Sequence, residues 1–214
     1  MKKSIIAIAF ITLSSIACKT DEKKITTEEA VVEVIKDEDP INSYKVNLAE
    51  STVTWKGSKL TESHNGDIKI NNGTFNIDNG TLKAGEFTID MTSIVCLDLE
   101  GKKKAGLEGH LKNTDFFDVE KFSTAKFVIT SSENKGDKAN ITGNLTIKDI
   151  TKSITISAII AENQDGSASL KSEIFSIDRT EFGVNYNSKK IEAIVKDKII
   201  NDLIEISFDI KAKK

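Results

Sequence analysis

Ile141-Thr142-Gly143-Asn144-Leu145-Thr146-Ile147 and, a little further on, Ile154-Thr155-Ile156-Ser157-Ala158-Ile159-Ile160 place apolar side chains at alternate positions. A period of two sends those side chains to one face of an extended strand and the polar ones to the other. The same code runs outward in both directions. Upstream it gives Val46 and Leu48, Val53 and Trp55, Ile68 and Ile70, Phe75 and Ile77, Leu82 and Ala84, then Phe87, Ile89 and Met91. Further on it gives Phe127 and Ile129, Leu170, Ile174 or Phe175, Ile177, and finally Ile204, Ile206, Phe208 and Ile210. The parity shifts at Asn72-Gly73, which marks either a turn or a bulged, bent strand. Asn79-Gly80 is the better turn because both residues tolerate positive φ, and Gly85 shifts the register again. About eight or nine strands with few helices predict an all-β, antiparallel sandwich or closed barrel. A barrel of about eight strands either fills its interior or holds one small ligand.

One segment breaks the pattern. Between Gly101 and Thr114 the lysines Lys102 to Lys104 and the pair Leu107 and Leu111, one turn apart, predict a short helix near residues 102–113. Such a helix suits a lid on the barrel mouth or side. Phe116 and Phe117 follow it and point in different directions if extended, so that one of them can plug the core.

The chain opens with Lys2, Lys3 and an apolar run from Ile5 to Ile16. That run is too short for a bilayer core, which needs roughly 20 apolar residues. It reads as a secretory signal over residues 1–17. Ser14-Ser15-Ile16-Ala17-Cys18 resembles a bacterial lipobox, with Ser15 where a leucine-like residue is usual, so Cys18 is expected to carry the lipid anchor. Several acyl chains on one residue anchor stably where a single chain is marginal. Residues 18–43 are expected to be an acidic tether. From 19 to 43 the segment carries eight acidic and four basic side chains, no aromatics, and Pro40, the chain's only proline. So charged a stretch buries too little apolar surface to order itself. Residues 44–214 then form one domain of ordinary size. The expected address is the bacterial cell envelope, periplasmic or at the outer-membrane surface.

Charge and motif content narrow the function. A net charge of -3 gives no basic footprint for nucleic acid. With Cys18 acylated, Cys96 has no partner for an internal disulfide and reads as a small half-buried hydrophobe, its thiol raised by Asp98 and Glu100. His64 and His110 lack any HxH, HxxxH or CxxC spacing, so a metal site would need distant carboxylates such as Glu108 or Asp115, and no metal is expected. No triad, phosphate loop or dinucleotide fingerprint is visible, and the chain is expected not to be an enzyme; a hydrolase using His110 with Asp115 or Asp118 is the remote exception. Asp178-Arg179 reads as a charge-assisted pair at a strand end, with a rim or head-group contact as the alternative for Arg179.

Several ordered motifs carry a family resemblance. Tyr44-Lys45-Val46-Asn47, Val53-Thr54-Trp55-Lys56-Gly57, Ser63-His64-Asn65-Gly66 and Gly73-Thr74-Phe75 form its first part. Thr92-Ser93-Ile94, Gly109-His110-Leu111-Lys112, Asp115-Phe116-Phe117-Asp118 and Thr142 to Lys148 with Ile150-Thr151-Lys152 form its middle, and Ile177 to Val184 its last third. Together they resemble the YceI-like family over nearly all of residues 44–212. Ser123 and Ser153 stand where prolines are common, and both are expected in connections. The resemblance implies a lipocalin-like antiparallel β-barrel whose apolar tunnel takes an isoprenoid chain, such as a quinone or polyprenyl tail, with no cofactor. His110 and Arg179 would then sit at the rim or near the head group. From the strand pattern the cavity wall is expected to include Trp55, Phe75, Phe87, Ile89, Met91, Phe127, Phe175 and Phe182, with Phe117 also at the cavity and Phe116 or Phe117 as the plug. The competing readings are that these aromatics fill the barrel and that its outside binds another envelope protein. The sequence leaves the oligomeric state open, a homodimer included.

Overall fold

The structure, a computed structural model, describes residues 25–30, 42–190 and 196–214. The expected signal segment, Cys18 and most of the expected tether lie outside the described residues. Eleven strands and one α-helix are present among the described residues. The strands are β1 (Glu28–Glu29), β2 (Ser43–Val46), β3 (Thr52–Ser58), β4 (Ser63–Asp78), β5 (Thr81–Cys96), β6 (Thr124–Lys135), β7 (Lys138–Ile147), β8 (Ile150–Glu162), β9 (Ser167–Ser172), β10 (Phe175–Asp178) and β11 (Leu203–Lys213). The helix α1 (Gly101–Lys112) sits between β5 and β6.

Every strand pairing is antiparallel, and the sheet closes on itself through β3–β4–β5–β6–β7–β8–β9–β11 and back to β3, a ring of 8 strands. The sandwich alternative is thereby excluded. Closure rests on β11, which pairs β9 along Asp209 to Lys213 and β3 along Glu205 to Asp209. β2 extends the β3 side by bridging β11 and β4. β10 adds to β11 along Leu203 to Ile206.

The local punctuation follows the residues. Asn79 and Gly80 both adopt positive φ and make the tight β4–β5 turn. Asn72-Gly73 is not a turn: β4 runs through it, with a register shift between Ile70 and Asn72, so the strand bends as a bulge. Gly66 has a different duty. A Cβ there would lie 1.8 Å from the Val95 carbonyl oxygen, so only glycine lets β4 cross this close to β5. Ser153 is not in a connection as expected; it is buried within β8, opposite Asn144 of β7 and Glu28 of β1.

The described part of the expected tether is also ordered. β1 pairs with β8, the Ile25 N–H donates to the Ser176 carbonyl of β10 at 3.0 Å, and Ile25 packs against the core. β8 pairs with β9 only from Ala158 to Glu162 and β10 pairs with β11, so a seam opens between the earlier part of β8 and β10. Residues 25–30 lie in that seam because its free backbone groups accept a strand. The Lys152–Glu29 ion pair at 2.7 Å adds little, since Glu29 is solvated.

The turn ends of β4–β5, β6–β7 and β8–β9 form the closed end of the barrel. There Tyr44 stacks on Phe75 at 5.5 Å between ring centroids, and Phe75 stacks on Phe87 at 6.2 Å. The Tyr44 hydroxyl donates to Glu162 Oε1 at 2.6 Å. Burial, reinforced by that carboxylate, pushes the Tyr44 phenol up to about 12. A raised folded pKa means that this contribution is full below the unfolded value of about 10 and is lost as pH climbs through about 12. Alkaline denaturation monitored by circular dichroism should therefore show stability falling between those two pH values. Tyr44→Phe should lack that component of the alkaline limb.

Candidate ligand-binding cavity

The inward faces of the ring do not meet. They enclose a cavity of about 740 Å³, walled by side chains that the alternation directs inward. Ile68 and Ile70 come from β4, Phe87, Ile89 and Met91 from β5, and Ala125, Phe127 and Ile129 from β6. Ile141, Leu145 and Ile147 face them from β7, Ile154 and Ile156 from β8, and Ile204, Ile206, Phe208 and Ile210 from β11. This size lies within the range of small-molecule pockets, and away from the mouth the wall is hydrocarbon and aromatic.

Of the expected wall residues, Trp55, Phe87, Ile89, Met91, Phe117, Phe127 and Phe175 line the cavity. Phe75 and Phe182 do not. Phe75 lies beyond Phe87 in the aromatic stack that closes the far end. Phe182 is not on a strand at all: it belongs to a 3-10 helix, Arg179–Phe182, and is fully buried. The aliphatic majority of the wall follows the same alternation, although period two alone cannot tell a filled interior from a hollow one. Phe175, rather than Ile174, faces inward; Ile174 is exposed.

The opposite end is polar and covered by α1. Leu99, Lys102, Lys103, Gly106, Leu107, His110 and Leu111 all border the cavity, so one side of α1 lies over the mouth. Leu107 and Leu111 sit one turn apart on that side, as the sequence spacing requires. Lys148 Nζ donates to the Phe116 carbonyl at 2.7 Å and ties the post-helix loop to the β7–β8 turn. Both Phe116 and Phe117 reach the cavity, Phe116 being the more buried.

His110 is held by aromatic rings. Its centroid is 4.9 Å from Phe116 and 4.8 Å from Tyr186, both edge-on, and Nε2 meets Asp115 Oδ2 at 3.1 Å. His110 and Asp115 are thus together, but the cage around the ring is hydrophobic, which suits a fixed rim residue. Tyr186 escaped the sequence reading because it lies in an irregular stretch with no periodicity.

Arg179 borders the cavity and is buried, with its guanidinium bonded to the surrounding backbone. Nε donates to the Asn201 carbonyl at 3.1 Å, Nη1 to Val184 at 2.7 Å and Nη2 to Ile200 at 3.2 Å. Its charge partner is Asp202, at 3.5 Å, and not the adjacent Asp178. Asp178 instead caps the 3-10 helix through Thr180 and pairs with Lys190 at 3.1 Å. Burial lowers the Arg179 pKa and the two aspartates raise it in opposition. The guanidinium therefore pins the strand-to-loop junction through three backbone carbonyls.

His64 also borders the mouth. It meets Asp98 Oδ2 through Nδ1 at 2.9 Å, and Cys96 Sγ lies 3.1 Å from Asp98 Oδ1. Cys96 is fully buried, beyond the half-burial expected. Burial and the neighbouring carboxylate raise its thiol pKa. Desolvation would raise Asp98 as well, but the Asn65 N–H, the Cys96 thiol and His64 hold its carboxyl well below the usual range.

Residues 44–212 match the YceI-like domain. The chain belongs to the YceI-like family. A UPF0312 protein of Pseudomonas aeruginosa is 42% identical over 79 residues, covering 32% of this chain and 41% of that protein. Protein YceI of Salmonella newport is 45% identical over 49 residues, covering 23% of this chain and 26% of that protein. The chain thus spans less than half the length of these curated relatives. Burkholderia cenocepacia BcnA has a similar structure, with TM-score 0.64 and 24% identity over 78% of this chain and 99% of BcnA. A polyisoprenoid binding domain from Saccharophagus degradans superposes with TM-score 0.59 at 10% identity, over 79% of this chain and 97% of that domain. Both likenesses bear on the YceI-like barrel fold.

If Arg179 serves the YceI-like scaffold, Arg179→Met should leave Asp202 buried without its counter-charge and cost about 3–5 kcal/mol. Urea denaturation of the variant checks this. Arg179→Met combined with Asp202→Leu should recover much of the loss.

Proposed function

We propose that this YceI-like protein is a non-enzymatic carrier of an isoprenoid-type lipid, a quinone or polyprenyl tail, held in the barrel for storage, transfer or protection in the cell envelope. Acylated Cys18 tethers it to the membrane. The observation that carries this reading is the apolar cavity of about 740 Å³ inside a closed barrel. An alkyl chain entering it gains roughly 0.8 kcal/mol per buried methylene and needs few polar contacts along its length. The polar residues gather at the α1 end, so a chain ligand enters tail first and leaves its head at the mouth. The name of the Saccharophagus degradans neighbour, a polyisoprenoid binding domain, points to the same ligand class.

The competing reading, a packed barrel that serves only as an interaction module, requires a filled interior. A cavity of this size and lining weighs against it. The hydrolase reading has little support beside the aromatic enclosure of His110.

Trp55, the only tryptophan, borders the cavity and reports on occupancy. Titrating delipidated protein with farnesol should change Trp55 fluorescence saturably. Ala125→Phe, which fills space on β6, should weaken that binding at least about tenfold while keeping the far-ultraviolet circular dichroism. A response that is absent, or unchanged in Ala125→Phe, would remove the cavity as the binding site. For the anchor, palmitate labelling in the host should mark the chain and disappear in Cys18→Ser; a label that persists would reject Cys18.

A further inference from the structure

We propose that His64, Cys96 and Asp98 form a binding site for a divalent transition-metal ion of the zinc class at the barrel mouth. The inference stands independently of what fills the cavity. Its basis is the cross-strand register. Gly66 of β4 lies opposite Cys96 of β5, so His64, two residues back, meets Asp98, two residues on, next to the Cys96 side chain. No linear spacing rule finds this set, because its proximity comes from strand pairing and from the close crossing that Gly66 permits.

The ligand atoms of the three residues all lie within 4.8 Å of one another. A tetrahedral zinc with bonds of about 2.0–2.3 Å needs its donors about 3.3–3.7 Å apart, which small side-chain rotations supply. The donor set is selective. Imidazole nitrogen, sulfur and carboxylate oxygen suit zinc and its neighbours, whereas magnesium and calcium take oxygen ligands. Thiolate and carboxylate together match the charge of a divalent ion. On binding, the Cys96 S–H bond breaks, its proton leaves to solvent, and a sulfur–metal bond replaces it.

Supporting contacts hold the set in place. The Asn65 N–H donates to Asp98 Oδ1 at 3.1 Å, and the Cys96 N–H donates to Glu108 Oε1 of α1 at 2.8 Å. Such outer contacts orient metal ligands. Three protein ligands leave a fourth coordination position, and His64 places the set beside the cavity mouth. Three protein ligands with one open position is the arrangement of zinc sites that exchange a water or another small ligand.

The test uses the full chain carrying Cys18→Ser, so that Cys96 is the sole thiol, stripped with a chelator and titrated with Co²⁺. A thiolate-to-cobalt charge-transfer band and intense visible absorption of a four-coordinate ion should appear at one equivalent and vanish on adding Zn²⁺. Cys96→Ser should abolish the charge-transfer band. His64→Ala, at a partly exposed position, should keep the far-ultraviolet circular dichroism and weaken Co²⁺ binding at least about tenfold. If the parent shows no charge-transfer band, or the band survives in Cys96→Ser, or affinity is unchanged in His64→Ala, the three residues are a hydrogen-bonded cluster only and the proposal fails.

Discussion

Everything in this molecule depends on the pairing of its last strand with strands from the first and last thirds of the chain. β11 binds β3 on one side, with Phe208 opposite Val53, and β9 on the other, with Ile210 opposite Leu170. Without those two ladders the sheet is open, its inward Ile and Phe side chains face water, and no cavity exists. Pairing of residues so far apart in sequence carries a loop-closure cost that only the completed interior repays. β11 also holds β10, whose extension into the Arg179–Phe182 helix puts Arg179 over Asp202.

Closure of a ring of this size has a consequence for the interior. Neighbouring strands set the circumference, and the inward residues, mostly Ile with scattered Phe, leave the middle unfilled. At the closed end the gap is spanned by the stack of Tyr44, Phe75 and Phe87. At the other end α1 and the cage of Phe116, His110 and Tyr186 take over. The barrel is therefore asymmetric along its axis, sealed by aromatics at one end and capped by a charged helix at the other. That polarity is what the proposed tail-first binding of a chain ligand rests on.

Much of this was legible in the residues. Alternation identified the strands, Asn79-Gly80 a turn, and Leu107 with Leu111 the covering helix, all by local rules. The cavity wall was partly legible: Trp55, Met91 and Phe127 follow from parity alone, while Phe75 was misplaced because depth along the barrel axis has no local signature. The partners of Arg179 were hidden for a related reason, since Asp202 meets it only once β10 and β11 pair. His64 and Cys96 were read separately because they sit on different strands. The ordering of residues 25–30 was the least visible feature: their composition is that of a spacer, and what fixes them is a seam in a sheet that local sequence cannot see.

The central claim is that the cavity exists to be occupied by an apolar chain. Native mass spectrometry of the protein purified from its own membrane, before and after organic extraction, tests it most directly. The expected result is an added mass that extraction removes and that identifies as a polyprenyl or quinone lipid in the extract. Protein that repeatedly flies at its bare mass, with no apolar compound in the extract, would contradict it.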